Sequence, residues 1–104
     1  MTNMRFNVKE ARDHLIMCGY VYTLRKWGKY PKICTAIYDK GKDIIRIGRI
    51  EVTKVLDNIT DYRQLEPYYN GSGFKSPAQW FNRAISVGKV DNFYLYKVEG
   101  NGKR

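Results

Sequence analysis

The densest chemical signal in the chain lies in residues 20–32. Arg25, Lys26, Lys29 and Lys32 supply cations, and Trp27 and Tyr30 lie between them. Cations neutralise phosphates and release condensed counterions, while aromatic faces stack on unpaired bases. Arg25 carries the planar fork suited to a phosphate or a guanine edge, which Lys lacks. Both residue types interleaved in a loop leaving a strand suit single strands or RNA. The same loop also fits a solvated basic segment whose tryptophan packs on the protein body, because stacking and core aromatics look alike in sequence. Arg46 and Arg49 flank Gly48 and extend the basic set, whereas Arg83 and Lys89 fit ordinary solvated charge.

Other reactive residue types are sparse. Cys18, Cys34 and His14 lack the closely paired four-ligand spacing of structural zinc, so no metal and no cofactor is expected. Both cysteines are expected to be buried, reduced thiols of an intracellular protein. His14 lies beside the apolar face of a predicted helix and fits a partly buried structural role. Tyr20, Tyr22, Tyr30, Tyr38, Tyr94 and Tyr96 fall in or near predicted strands, as half-buried sheet residues do.

Composition sets the frame for these residues. A chain of 104 residues fits one domain over 1–104, and a domain this short still buries about two-thirds of its unfolded surface. Hydrophobic residues make up 43% of it, enough for a packed core. Nineteen Lys and Arg against ten Asp and Glu leave a formal charge of +9, a field that attracts polyanions. RNA or single-stranded DNA is the expected partner. Membrane is not, for want of a basic amphipathic helix with a bulky apolar face or a segment of spanning length. Excess lysine also serves plain solubility. Without the apolar core of a signal peptide, the expected setting is cytoplasmic, with a monomer favoured.

The elements that must position the basic loop are predicted as follows. Residues 6–18 form a helix, with Asn7 as cap, Glu10 completing a capping box, Phe6 and Ala11 as a staple, and Val8, Ala11, Leu15 and Cys18 on one face; Gly19 stops it. Residues 20–25 form a strand, 27–32 a Gly- and Pro-containing loop, and 33–38 a second strand closed by a turn over 39–43. The next strand alternates at Ile45 and Ile47, then slips phase at Gly48 to Ile50 and Val52, which predicts a bulge. One helical turn is expected over residues 62–65. Ser76, Pro77 and Gln79 open a second helix that buries Trp80, Phe81, Ala84 and Ile85 and ends at Gly88. Residues 92–98, apolar on both faces, close the sheet from an interior position, and 100–104 form a frayed tail. The fold class is α+β: a small open β-barrel of about five strands with two main helices.

The order and spacing of four elements resemble the ASCH family, small RNA-associated domains of the PUA-like group. They are Gly19 to Arg25 after the first helix, Ile47 to Leu56 (IGRIEVTKVL), Gly73-Phe74 before the SPAQWF helix, and the closing FYLYKVE. The resemblance covers nearly the whole chain and implies a PUA-like barrel. In the family the first motif reads Gly-x-Lys-x-x-(Glu or Thr)-x-Arg and lines a central cleft. Arg25 matches its arginine and Thr23 its Glu/Thr position. The lysine position falls on Tyr20, and the glycine position on Cys18, with Gly19 displaced by one. Some members resemble a bacterial N4-acetylcytidine amidohydrolase that uses the Lys, the Thr and an acidic residue before the Gly-Phe element. That acidic position is Ser72 here, so Tyr20, Thr23 and Ser72 are the implied cleft lining.

Three functions compete. The first is a non-enzymatic module for RNA or single-stranded DNA, with Arg25, Lys26, Lys29, Lys32, Arg46 and Arg49 on the backbone and Trp27 and Tyr30 stacked on bases. The second is a hydrolase of a modified nucleoside or RNA, with Thr23 the catalytic candidate, although a hydroxyl needs a base to activate it. The third is an adaptor for a protein or small ligand.

Overall fold

Runs of β-formers punctuated by glycine divide the chain into five strands and two helices, and the computed structural model, which describes residues 2–100, gives their bounds. They are β1 (Asn3–Arg5), α1 (Lys9–Cys18), β2 (Tyr20–Arg25), β3 (Ile33–Lys40), β4 (Asp43–Ile59), α2 (Pro77–Gly88) and β5 (Phe93–Gly100). Two 3-10 turns, Tyr62–Leu65 and Tyr69–Gly71, lie between β4 and α2. The strands form one mixed sheet in the order β1-β3-β4-β5-β2. β1 runs parallel to β3, and every other pairing is antiparallel. β1 and β2 end the order without pairing to each other, so the sheet is open.

The phase slip at Gly48 is a bulge. Gly48 stands opposite Ala36 and Arg46 opposite Ile37, which leaves Ile47 as the extra residue. Gly48 has a φ of 150°, a conformation open to glycine. The bend helps the sheet wrap a core on the α1 side that includes Met4, Phe6, Leu15, Val21, Ile50 and Val98. A second core, with Leu65, Phe74, Trp80, Phe81, Phe93 and Leu95, joins the 3-10 turns and α2 to the sheet. β5 supplies Tyr96 and Val98 to the first core and Phe93 and Leu95 to the second, which explains why it is apolar on both faces.

The start of α1 differs from the sequence expectation. The helix begins at Lys9 after Val8, and no side chain caps it. Asn7 instead accepts the Asp39 N–H at 2.8 Å and donates to Asp39 Oδ2 at 2.9 Å. A long-range tie to the end of β3 takes the amide that local pattern assigned to capping. Glu10 turns to Arg83 of α2, 2.8 Å away. The C-terminus follows expectation: Gly19 is left-handed and donates to the Leu15 carbonyl at 2.9 Å. Cys18, however, is exposed, because the last helical residue lies at the rim of the core; Cys34 is buried.

α2 starts as its sequence predicts, with Ser76 Oγ accepting the Gln79 N–H at 3.1 Å and Pro77 following. Gln79 Oε1 returns to the Lys75 N–H, one residue before the cap. Gly73 has a φ of 90°, and a Cβ there would lie 2.3 Å from the Glu10 carbonyl oxygen. Glycine is what lets this segment lie against α1. Gly100 belongs to β5 and donates to the Gly19 carbonyl at 2.7 Å; the rest of the expected tail lies outside the described residues. Among the described residues no helix is long and apolar enough to cross a membrane.

Candidate nucleic-acid interface

β2 ends at Arg25, and the loop that follows is pinned along its length. Lys26 Nζ donates to the Gly88 carbonyl at 3.2 Å, at the C-terminus of α2, where carbonyls carry partial negative charge. Tyr96 donates its hydroxyl to the Trp27 carbonyl at 2.9 Å. Gly28 lies on the Tyr94 ring, so that a Cβ would fall 2.7 Å from Cζ. The Cys34 thiol donates to the Pro31 carbonyl at 3.3 Å, and the Val52 N–H to the Lys32 carbonyl at 2.6 Å. Burial pushes the Cys34 thiol pKa up and keeps it protonated.

These anchors hold aromatic rings in a fixed series. Tyr30 meets Trp27 edge-on with centroids 4.7 Å apart and meets Tyr96 edge-on at 5.3 Å. Trp27 meets Tyr30 edge to face and not in a parallel stack, and it is 48% exposed. Lys26 and Lys29 are exposed beside it. Lys32 is exposed too and pairs with Glu51 at 3.5 Å. Two residues that sequence reasoning did not assign to the site join it here. Lys54 lies 5.2 Å from the Tyr94 ring centroid, and Tyr94 is the ring beneath Gly28. Hydrogen bonding to Asp57 raises the Lys54 pKa. The only sequence signal for either residue is its place on a strand facing the loop, which requires the β4–β5 register.

Arg25 is placed differently from a solvent-facing phosphate fork. Its Nε donates to Thr23 Oγ1 at 3.2 Å, one terminal nitrogen donates to the Arg5 carbonyl at 2.6 Å, and its guanidinium lies 4.6 Å from the Phe6 ring centroid. Burial lowers its pKa from the ordinary value, and neighbouring Tyr30 opposes that shift. No ion pair of Arg25 occurs among the described residues. Arg25 and Thr23 line a cavity of about 220 Å³ with Arg5, Asn7 and Val87.

The implied cleft lining of Tyr20, Thr23 and Ser72 does not assemble. Tyr20 and Thr23 are three apart on β2 and point to opposite faces. Tyr20 packs edge-on against His14, centroids 5.1 Å apart, and the His14 Nδ1 donates to the Tyr20 carbonyl at 2.8 Å, a structural use of that histidine. Ser72 is fully buried, donating to the Tyr69 carbonyl at 2.6 Å and accepting the Phe74 N–H at 3.1 Å. The Thr23 hydroxyl accepts from a cation, which draws electron density away from a would-be nucleophile.

Arg46 and Arg49 stand on β4 opposite Ile37 and Thr35 of β3. Arg49 lines a separate cavity of about 360 Å³ with Met17, Cys18 and Ile47 at the C-terminus of α1. The structure therefore joins the loop of Lys26, Trp27, Lys29 and Tyr30 to Tyr94 and Lys54, whereas Arg49 lines the cavity beside α1. Among the described residues no group of three or more His, Cys, Asp or Glu is arranged to hold a metal ion. Comparison with protein-family models, curated proteins and solved structures finds no match for the chain.

Proposed function

We propose that the protein binds single-stranded nucleic acid, RNA in preference to DNA, on the surface made by residues 26–32 with Lys54 and Tyr94. The observation that carries this reading is the half-exposed Trp27 indole on a loop held at the Trp27, Pro31 and Lys32 carbonyls and at Gly28 against the Tyr94 ring. A ring fixed before binding loses little freedom when a base stacks on it, and each such stack contributes about 1–3 kcal/mol. Lys26 and Lys29 neutralise the backbone, and the formal +9 draws the polyanion in. Resemblance to the RNA-associated ASCH family favours RNA. On that reading the five-stranded sheet is an open PUA-like barrel, and the partner is a cytoplasmic RNA.

The role is binding and not catalysis. The Thr23 hydroxyl accepts from Arg25, and neither Tyr20 nor Ser72 faces it as base or acid. A salt titration tests the reading. Neutralising about three or four phosphates of a single strand gives a log–log slope of about −2 to −3. Absence of affinity for any RNA or single-stranded DNA at low salt ends it.

A further inference from the structure

The second half of β4 is irregular in a way that its sheet pairing does not require. Its register against β5 shifts between Lys54 and Leu56 and again between Leu56 and Ile59. Asn58 lies between the last two at a φ of 58°, a left-handed conformation that Asn tolerates better than most side chains. Bulges re-aim side chains. Here Lys54, Asp57 and Asn58 of β4 line a cavity of about 330 Å³ with Asn92 and Tyr94. Small-molecule sites run from about 300 to 1,000 Å³, so this one fits a single nucleotide. Tyr94 belongs both to this cavity and to the bed of the Trp27 loop.

We infer that this cavity is a nucleobase subsite selective for guanine, an inference that rests on the single-strand-binding reading above. Lys54 Nζ lies 3.0 Å from Asp57 Oδ1, and both side chains are substantially exposed. The ammonium carries three donors, of which Asp57 Oδ1 takes one, and the carboxylate carries two acceptor oxygens. The Watson–Crick edge of guanine runs O6 acceptor, N1–H donor, N2–H donor, which complements that set. Uracil places an acceptor where the carboxylate needs a donor. Cytosine and adenine turn an amino group toward the ammonium. The Asp57 charge also repels phosphate, so the cavity takes the base and leaves the backbone to Lys26 and Lys29. Asn58 and Asn92 offer amides to the sugar and to the remaining base edge.

The test compares a short oligouridine with the same oligomer carrying one central guanosine, at fixed salt, on the wild-type protein and on Asp57→Asn. The substitution keeps the side-chain size at an exposed position. The guanosine oligomer binds the wild type roughly tenfold more tightly, as a good bidentate base contact gives. Asp57→Asn removes that preference and leaves oligouridine binding equal or stronger. Equal affinities in the wild type, or a guanosine preference that survives Asp57→Asn, overturn the subsite while single-strand binding stands. Failure of both oligomers to bind overturns the two together.

Discussion

The hydroxyl of Tyr96 donates to the carbonyl of Trp27 across 2.9 Å, tying a core strand to the loop that carries an exposed indole. Tyr96 is 2% exposed, and burial raises its pKa, so it remains a donor through the neutral range. Tyr96→Phe leaves the Trp27 carbonyl without this partner. The expected loss in urea denaturation is about 0.5–1.5 kcal/mol, with weaker oligonucleotide binding although Trp27 itself is intact. Unchanged binding in this variant shows that the loop needs no such anchor.

Gly73 and Gly19 both hold left-handed backbone, at φ 90° and 83°, yet they predict different outcomes on substitution. A Cβ at Gly73 meets the Glu10 carbonyl oxygen at 2.3 Å, an atom of rigid helical backbone, whereas the space at Gly19 is open. Gly73→Ala destabilises by about 2–4 kcal/mol, and Gly19→Ala by about 1 kcal/mol for the conformation alone. Denaturant midpoints of the two variants measure the difference, and equal losses contradict the close packing of this segment on α1.

The two thiols separate by exposure. Cys18 is exposed, while Cys34 is buried, donates to the Pro31 carbonyl and has its pKa pushed up by burial. A thiol reagent at neutral pH labels Cys18 rapidly and Cys34 only after denaturation. Rapid labelling of both in the native protein indicates that residues 26–32 open readily, against a fixed loop.

Acid stability follows from Asp61, whose carboxylate accepts from the Arg63 side chain and backbone, holding its pKa at about 2 against an ordinary 3.8. A folded-state value below the unfolded one stabilises the fold above the unfolded pKa. That contribution disappears as pH falls from about 4 toward 2. Asp61→Asn keeps a capping oxygen but has no carboxylate to titrate, so its stability profile is flatter over that range. Parallel profiles for the two proteins contradict the assignment.

Local pattern carried much of this architecture. The isoleucine phase slip marked the Gly48 bulge, Ser76-Pro77 marked the start of α2, and the two-sided apolar run marked β5 as interior. Three features escaped it because they are set by distant partners. β1 has three residues with one buried side chain, Met4, too few for a period, and its pairing is with β3 some thirty residues later. Asn7 satisfies a capping pattern and a tie to Asp39 equally well, and only the fold decides between them. Arg25 announces anion chemistry by type, but the packing of Arg5 and Phe6 around β2 turns its fork inward. The basic aromatic loop was legible from its own residues. Its enlargement by Lys54 and Tyr94 came from antiparallel register, which no local spacing encodes.

Fluorescence of Trp27 reports whether RNA meets the basic loop, since the protein's other tryptophan, Trp80, is only 3% exposed. Short single-stranded RNA added at low salt quenches the emission of the wild type, salt reverses the quench, and Trp27→Ala weakens binding by about tenfold or more. Emission that does not respond to RNA, together with undiminished affinity in Trp27→Ala, contradicts the account.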